Sequence, residues 1–406
     1  MSVLLFENTK TAFAYKTDDE LQKAKLLFGL MKYPYLVKIG TAITPWAMKM
    51  GLPIKSLIRN TIFKQFVGGE SLEETRPVVE LLNKYNVKVI LDYAVEGGDA
   101  SDENYDHACD QFLHVLDYAS TQENIPFISI KVTGIANIGL LEKLDRSLEL
   151  STGTLINRFE AALASLSDKE KKEWAKVFER MNKICAFASE KGVGVLIDAE
   201  ETWIQDPIDV LAMKMMDTYN KENPIVYNTL QLYRHDRLHF LHDSIEAAEK
   251  RKFILAVKLV RGAYMEKERE RALGNGYPSP IHIDKDSCDR DFNQALKISL
   301  DHINNISLIV ASHNDYSNMY GLQLMQEKKL PNNHPHIHFS QLYGMSDHIT
   351  FNLSMQGCNV SKYLPFGPIN EVIPYLMRRA QENTSVAGQT TRELNLLKKE
   401  SERRKN

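Results

Sequence analysis

The chain has 406 residues, 43% of them hydrophobic, which is enough for one large core with extra elements or for two modest domains. Charged residues make up 25% and the net charge is −3, values that argue against a disordered chain and against a general nucleic-acid-binding protein. The four cysteines are scattered without a C-x-x-C pair, so we expect neither a disulfide framework nor structural zinc, and a reducing compartment fits best. We predict no signal peptide, transit peptide or transmembrane helix.

The first 86 residues form a predicted helical region, with breaks expected at Pro45 and Pro53. Residues 31–64 within it carry six Lys and Arg and no Asp or Glu. Aromatic and apolar side chains are interleaved with these cations. Two interpretations stay open: a surface that meets an anionic membrane, and a packed accessory helix with a solvated basic face.

Eight short, apolar and β-branched runs then alternate with longer segments of helical periodicity. The runs are 87–95, 126–133, 192–200, 225–233, 253–261, 306–312, 336–342 and 359–365. Near-continuous apolar strands suit a parallel sheet that is covered on both faces, and eight βα units predict a closed (βα)8 barrel, an α/β fold of the TIM-barrel type. A doubly wound open sheet is the alternative, and the lack of G-x-G-x-x-G or a P-loop after any strand weakens it.

The predicted barrel extends over residues 87–385 and follows the N-terminal helical region, 1–86. A helical insertion at about residues 135–190 separates the second and third strands. The last barrel helix is predicted at about 369–383. A charged C-terminal tail, 386–406, ends in Arg403, Arg404 and Lys405, and we expect it to be frayed.

Polar residues follow the carboxyl ends of the predicted strands, where barrel enzymes place their reactive groups. They are Glu96, Lys131, Asp198, Glu200, Glu201, Gln231, Lys258, Arg261, Ser312, His313, Asn314, Gln341 and Tyr363. They could form one site, or they could be polar only because βα loops are polar. Lys131 and Asp198 favour a site, because a charge at the end of an apolar run is costly unless it is paired.

The last predicted helix carries Tyr375, Arg378 and Arg379 at positions i, i+3 and i+4, which share one helix face. A guanidinium is a planar, permanently charged group that matches a carboxylate. The pair therefore indicates a carboxylate clamp. Two solvated surface arginines remain the alternative.

Three further patterns suggest weaker hypotheses. Gly262-Ala263 would let backbone N–H groups approach a flat or phosphate-bearing ligand. Lys131 or Lys258 could form a Schiff base, as in a barrel lyase. The histidines of HPHIH (334–338), and His235 with His239, lack the acidic partners or the H-E-x-x-H pattern of a metal site, so we predict no metal.

Seven stretches of the predicted barrel form a recognisable series: LDYAVEG (91–97), ISIKVTG (128–134), LIDAEET (196–202), AVKLVRGAYMEKER (256–269), ASHND (311–315), QLYGMSD (341–347) and YLPFGPINEVIPYLMRRAQEN (363–383). In this order they resemble the proline dehydrogenase family, flavin enzymes that oxidise L-proline to Δ1-pyrroline-5-carboxylate. The long fourth and seventh stretches are the most specific. The Lys258-Leu-Val-Arg261 form resembles the monofunctional, mitochondrial-type branch, since bifunctional bacterial members have Arg at the position of Lys258.

The resemblance implies roles for the matching residues. Arg378 and Arg379 would bind the proline carboxylate, and Glu96 would be a gate residue that pairs with Arg378 on closure. Lys131 would lie beside the substrate, and Asp198 beside Lys131 and the flavin. The ring would be enclosed by Leu259, Tyr264, Tyr363 and Tyr375, which complete the substrate and catalytic set. FAD would be held by Asp198, Ala199, Gln231, Lys258, Val260, Arg261, Gly262, Ala263, Ser312, His313, Gln341, Arg379 and Glu382.

The resemblance also implies hydride transfer to flavin N5, a membrane quinone as electron acceptor, peripheral membrane contact and a separate Δ1-pyrroline-5-carboxylate dehydrogenase. We expect a cytoplasmic protein on the inner face of a membrane, with the mitochondrial matrix as the alternative location. In the related hydroxyproline dehydrogenases the position of Tyr363 is typically Ser, so Tyr363 favours proline. A barrel lyase and a non-catalytic amino-acid-binding protein remain as other functions.

Overall fold

The computed structural model describes residues 6–50, 54–94, 101–151, 154–385 and 389–406, with side chains described except at 45–49 and 382–389. Eight parallel strands form a closed barrel in chain order. They are β1 (Lys88–Tyr93), β2 (Phe127–Ile130), β3 (Gly194–Ile197), β4 (Val226–Gln231), β5 (Leu255–Val260), β6 (Ile306–Ala311), β7 (Ile337–Leu342) and β8 (Val360–Phe366). Each lies within or at most one residue beyond its predicted run, so the (βα)8 prediction is confirmed.

Helices precede, separate and follow the strands. Before the barrel lie α1 (Thr9–Ala12), α2 (Asp18–Met31), α3 (Pro34–Lys49), α4 (Lys55–Ile58), a π-helix (Arg59–Phe63), α5 (Lys64–Phe66) and α6 (Leu72–Asn83). Between strands lie α7 (Asp102–Ser120), α8 (Ile138–Glu149), α9 (Leu155–Ala164), α10 (Asp168–Lys191), α11 (Thr202–Tyr219), α12 (Arg237–Arg251), α13 (Met265–Asn275), α14 (Lys285–Asp301), α15 (Asp315–Glu327) and α16 (Asp347–Met355). The chain continues with α17 (Ile369–Ser385) and α18 (Gln389–Arg403).

The predicted helical insertion between the second and third strands is confirmed as α8, α9 and α10. A capping box starts α10, because Ser167 accepts from the N–H of Glu170 while the Glu170 carboxylate accepts from the N–H of Ser167. Gly192 ends this helix in the left-handed conformation, which favours glycine. The chain can therefore turn at once into β3.

Two expectations about the ends of the chain are wrong. Helix α3 continues through Pro45, since α3 is exposed along most of its described length and water can replace the single hydrogen bond that proline removes. Pro53 lies outside the described residues. The C-terminal tail is not frayed but forms α18, whose Leu394 and Leu397 are buried at i, i+3 spacing.

The described residues fall into two compact units, the first formed by 1–96 with 339–406 and the second by 97–338. In the first unit, Phe28 of α2, Phe66 of α5 and Leu376 of α17 belong to one buried cluster. In the second unit, strands β2 to β6 pair in parallel register and are almost wholly buried. The predicted boundaries after residues 86 and 385 stay predictions. None of the described helices has the length and apolar content that a bilayer span requires.

Candidate functional site

An ionised carboxylate between two lysines lies at the carboxyl ends of β2, β3 and β5 in the second unit. Asp198 directly follows β3, and its Oδ1 accepts hydrogen bonds from Lys258 Nζ and, at 2.7 Å, from Ser129 Oγ. Lys131 Nζ lies 3.7 Å from Oδ2 of the same carboxylate. The side chains of Lys258 and Asp198 are only 6% and 13% exposed, so the two charges are shielded from solvent.

The electrostatics of this cluster keep Asp198 charged. Burial by itself would raise the pKa of Asp198, but the positive charges of Lys258 and Lys131 and the hydrogen bonds from Lys258 and Ser129 lower it to about 2. The structure thus brings together the two charged residues whose position at the end of an apolar run predicted a site, and adds Lys258.

A second acidic residue, Glu200, lies in the loop after β3 and connects the turn after β2 with the last residue of β4. Its Oε1 accepts from Thr133 N at 3.1 Å and its Oε2 from Thr133 Oγ1 at 2.5 Å. Its backbone N–H donates to Gln205 Oε1, and its backbone oxygen accepts from Gln231 Nε2, both at 2.7 Å. Burial raises the pKa of Glu200 to about 7 despite the hydrogen bonds from Thr133 and the charge of Lys131, which lower it.

The turn after β5 exposes backbone beside a fixed side-chain amide. Gln231 Oε1 accepts from the N–H of Ala263 at 3.2 Å. Gly262 has φ +147°, and a Cβ there would lie 2.5 Å from the Tyr233 ring, so only glycine fits. Gly262 and Ala263 are exposed, which leaves their backbone accessible to a ligand.

Arg261 presents a guanidinium that is fixed on every side. Its Nε donates to Asp289 Oδ1 at 2.7 Å, its Nη1 to Ser312 Oγ at 2.7 Å and its Nη2 to Ser317 Oγ at 2.9 Å. The guanidinium also lies over the Phe292 ring, 4.5 Å from its centroid. The side chain keeps 23% exposure, so this oriented cation can still face an anionic group.

Helix α17 of the first unit carries the arginine pair. Arg379 is 6% exposed, which contradicts the alternative of two solvated surface arginines. Its guanidinium lies 4.9 Å from the centroid of the Tyr375 ring, one helical turn earlier, so the predicted shared face is confirmed for these two residues. Arg378 is half-buried.

The other predicted site residues are placed as follows. Leu259 is fully buried in β5, and Ala199 is buried next to Asp198. Val260, Tyr264 and His313 of the second unit and Tyr363 of the first are half-buried. Gln341 of β7 is buried and accepts from Thr350 Oγ1 at 2.8 Å. Glu96 lies outside the described residues, as does the side chain of Glu382.

Several residues of the site carried little signal in the sequence. Ser129 precedes Lys131 by two positions and therefore shares its strand face, which could have identified it. Thr133 lies within ISIKVTG but has no pattern of its own. Asp289 and Ser317 come from α14 and α15, and only the fold brings them to Arg261.

Among the residues that the structure describes, no group of three or more His, Cys, Asp or Glu could hold a metal ion. The HPHIH histidines lie in the segment that leads into β7. His338 is the second residue of β7 and packs edge-on against Phe127, and His334 Nδ1 accepts from the N–H of His336. His239 is exposed, 3.6 Å from Asp243, and His235 packs against His282.

Comparison with known proteins identifies the family. A model of the family "Proline dehydrogenase" matches residues 76–392. "Proline dehydrogenase 1, mitochondrial" of Dictyostelium discoideum is 36% identical over 88% of this chain and 67% of its own length. "Hydroxyproline dehydrogenase" of Xenopus laevis is 31% identical over 97% of this chain and 88% of its own length.

Among solved structures, proline utilization A from Bdellovibrio bacteriovorus, inactivated by N-propargylglycine, superposes with a TM-score of 0.69 at 20% identity. The match covers 97% of this chain but only 38% of that one. At this level of identity the likeness supports the (βα)8 fold alone.

Proposed function

Because the chain belongs to the proline dehydrogenase family, and is therefore an oxidoreductase, we propose that it oxidises L-proline to Δ1-pyrroline-5-carboxylate with FAD as the hydride acceptor. The observation that carries the proposal is the family match over residues 76–392, since this range contains both the Asp198 cluster and the buried Arg379. This reaction is the first step of proline breakdown.

In this proposal, Arg378 and Arg379 bind the proline carboxylate. The Tyr375 ring fixes the guanidinium of Arg379, which lowers the entropy lost when a small carboxylate binds. Leu259, Tyr264, Tyr363 and Tyr375 enclose the apolar ring, and Glu96 acts as the gate. Lys131 lies beside the substrate.

The residues of the second unit suit FAD. A dinucleotide cofactor offers pyrophosphate oxygens and a flat polar ring. The second unit supplies Arg261, Lys258, Ser312 and His313 as donors, beside the exposed Gly262-Ala263 turn, which lets a ligand approach closely. Asp198, Ala199, Val260 and Gln231 would complete this set, with Gln341, Arg379 and Glu382 from the first unit. When bound, FAD supplies the N5 atom that accepts the hydride from the proline ring.

The chain's own residues act by position and charge. Asp198 remains a carboxylate at neutral pH because its pKa lies near 2, so it holds Lys131 and Lys258 in place rather than exchanging a proton. Hydride transfer depends on holding the reacting carbon close to its acceptor, and no nucleophilic side chain is required.

The test is to purify the protein, record its visible spectrum and add L-proline without oxygen. We expect flavin absorbance that bleaches on addition of proline. A flavin that proline does not bleach, or no flavin, would contradict the proposal. Borohydride trapping of a carbonyl substrate on Lys131 or Lys258 would instead favour a lyase.

Hydroxyproline is the alternative substrate, favoured by the similarity to hydroxyproline dehydrogenases. Tyr363, half-buried in β8, argues for proline, since the bulky ring leaves less room for a ring hydroxyl than Ser would. Turnover of L-proline and trans-4-hydroxyproline should be compared in the wild type and in Tyr363→Ser. We expect the wild type to prefer proline and the variant to shift toward hydroxyproline.

For the electron acceptor we propose a membrane quinone, reached through peripheral contact of residues 31–64 with the bilayer. Helix α3 supports this contact, because none of its residues with a described side chain is buried and Tyr35, Ile39 and Ile43 are each more than half exposed. Lys32, Lys38, Lys55 and Lys64 are exposed around it, which complements an anionic surface. An apolar cavity of about 370 Å³ lies between α2, α3, the π-helix and α17, lined mainly by Leu30, Val37, Ile62, Ile373 and Leu376.

The remaining partners follow from the chemistry. The product would pass to a separate Δ1-pyrroline-5-carboxylate dehydrogenase, and no nucleic acid is involved. We keep the cytoplasmic side of a membrane as the proposed location. The mitochondrial matrix is the alternative, which the names of the Dictyostelium and Arabidopsis relatives favour.

A further inference from the structure

Two buried glutamates hold threonines in the same way in the second unit. The Glu200 carboxylate accepts from both the N–H and the hydroxyl of Thr133. The Glu268 carboxylate accepts from the N–H of Thr202 at 2.8 Å and from its hydroxyl at 2.6 Å. Both carboxylates are buried, at 3% and 0% exposure. Each pair thus fixes one threonine that follows a barrel strand, Thr133 after β2 and Thr202 at the start of α11, through two hydrogen bonds.

The two pairs hold different parts of the site. Thr133 lies in the 3₁₀ turn Val132–Gly134, which Lys131 precedes and which closes through a bond from Gly134 N to the backbone oxygen of Lys131. Holding Thr133 therefore holds the backbone of Lys131. Thr202 is the first residue of α11, and Glu268 lies in α13, so the second pair joins two helices and leaves the Lys131 turn untouched.

Glu200 also fixes Gln231, but through a different group. Gln231 donates to the backbone oxygen of Glu200, not to its side chain, and accepts in turn from Ala263 N. Removal of the Glu200 side chain therefore releases the Lys131 turn while the hydrogen bond to Gln231 can persist. Mutation can therefore separate the side-chain hydrogen bonds of Glu200 to Thr133 from its backbone hydrogen bond with Gln231.

We infer that Glu200 is a positioning residue, which sets Lys131 against Asp198 through its clamp on Thr133. The kinetic consequence of this inference rests on the proposed function, in which Lys131 lies beside the substrate. Its structural consequence does not depend on that function. A buried carboxylate that accepts two hydrogen bonds from one residue restricts that residue more than a single bond does.

The kinetic test compares Glu200→Ala with its matched control, Glu268→Ala, on the holoenzyme. We expect Glu200→Ala to lower kcat for proline by roughly 10- to 100-fold, because small displacements of a positioning group have effects of that order. Bound FAD per protein should stay at the wild-type level, because Gln231 keeps its partner. Glu268→Ala should lower the Tm comparably and kcat less than threefold.

A mutant cycle with Thr133 separates positioning from general damage. Thr133→Val removes the hydroxyl bond but keeps the N–H bond, so it should give part of the loss of kcat seen in Glu200→Ala. Thr133→Ser should keep at least half of the wild-type kcat, and the Glu200→Ala/Thr133→Val double variant should be no worse than Glu200→Ala alone. Equal losses of kcat in Glu200→Ala and Glu268→Ala, or losses that multiply in the double variant, would overturn the inference.

A readout without substrate keeps this inference distinct from the proposed function. Amide hydrogen exchange of the 131–135 turn should accelerate at least tenfold in Glu200→Ala and remain at the wild-type rate in Glu268→Ala. Unchanged exchange in Glu200→Ala would overturn the clamp. If exchange accelerates but the wild type does not oxidise proline, the clamp stands and the proposed function fails.

Discussion

Two regions of this molecule have lysines next to apolar sequence, but these lysines are shielded from solvent in one region and exposed in the other. At the strand ends of the second unit, Lys131 and Lys258 are shielded from solvent and share the Asp198 carboxylate. Around α3 in the first unit, Lys32 and Lys38 are exposed beside exposed Tyr35 and Ile39. A charge within the fold requires a partner, whereas a charge on an apolar surface is well placed to attract one from outside.

The largest expected effect comes from removing the partner that the buried lysines share. Asp198→Asn would leave Lys258 buried without a counter-charge, so we expect a loss of about 3–5 kcal/mol in the free energy of unfolding. Proline oxidation should fall on the order of 10²- to 10³-fold. Denaturant unfolding and steady-state kinetics measure both quantities.

The matched control is Asp217→Asn. Asp217 also pairs with two cations, Lys221 at 2.9 Å and Arg251 at 3.1 Å, but all three side chains are at least 31% exposed. Its loss should cost about 0–1 kcal/mol, as for other surface pairs. Similar losses of stability in the two variants would show that the buried ion pairs of Asp198 contribute no more to stability than the exposed ion pairs of Asp217.

Acid provides a second test of the same cluster. The folded-state pKa of Asp198 is about 2, below the ordinary value, so its stabilising contribution is present above about pH 4 and is lost as the pH falls toward 2. Burial raises the pKa of Glu200 to about 7, so its contribution has the opposite sign, and stability increases as the pH falls from about 7 to 4.5.

Unfolding free energies measured from pH 2 to 8 should show both slopes. Asp198→Asn should remove about 2–3 kcal/mol of the change in unfolding free energy between pH 4 and 2. Glu200→Gln should reduce the change between pH 7 and 4.5. A wild-type profile that Asp198→Asn leaves unchanged between pH 4 and 2 would contradict the low pKa.

Arg379→Lys tests whether a buried cation in the first unit also has a specific partner. Lysine keeps the charge but loses the planar pair of donors, so we expect proline binding to lose roughly 1–3 kcal/mol. KM for proline should then rise about 5- to 150-fold. The Tyr375 contact should also weaken. An unchanged KM would mean that Arg379 does not bind the carboxylate, whatever its burial.

The smallest effect concerns the exposed surface of α3. Ile39→Asp with Ile43→Asp should reduce co-sedimentation with anionic vesicles about tenfold, because each change removes an apolar group and adds a repelled charge. The Tm should not change, since both side chains are more than half exposed. The control is Leu273→Asp in α13, 86% exposed but outside the basic segment.

Binding of the wild type should also weaken as salt rises and should be poor with zwitterionic vesicles. If the double variant binds anionic vesicles as well as the wild type and as the Leu273→Asp control, α3 is an accessory helix whose exposed residues have no membrane role.

The ends of the chain show where local sequence is insufficient. Pro45 predicted a helix break, but α3 continues through it to Lys49, so an interior proline does not by itself end this helix. The basic C-terminus suggested fraying, yet Arg404 donates to the backbone oxygens of Phe13 and Lys16 and pairs with Asp18. These partners are almost 400 positions away in the chain, so no local pattern could identify them.

The sequence by itself determined the eight strands, the insertion between β2 and β3, the shared face of Tyr375 and Arg379, and the position of Lys131 and Asp198 at strand ends where each charge needs a partner. Each of these depends on periodicity or on the cost of a charge beside an apolar run, and both are local properties. Only the tertiary structure decided that Lys258 and Ser129 share the Asp198 carboxylate, that Glu200 holds Thr133, and that Arg379 is buried while α3 is exposed. Burial and hydrogen-bond partners depend on which distant segments pack together, and the order of residues along the chain does not specify that directly.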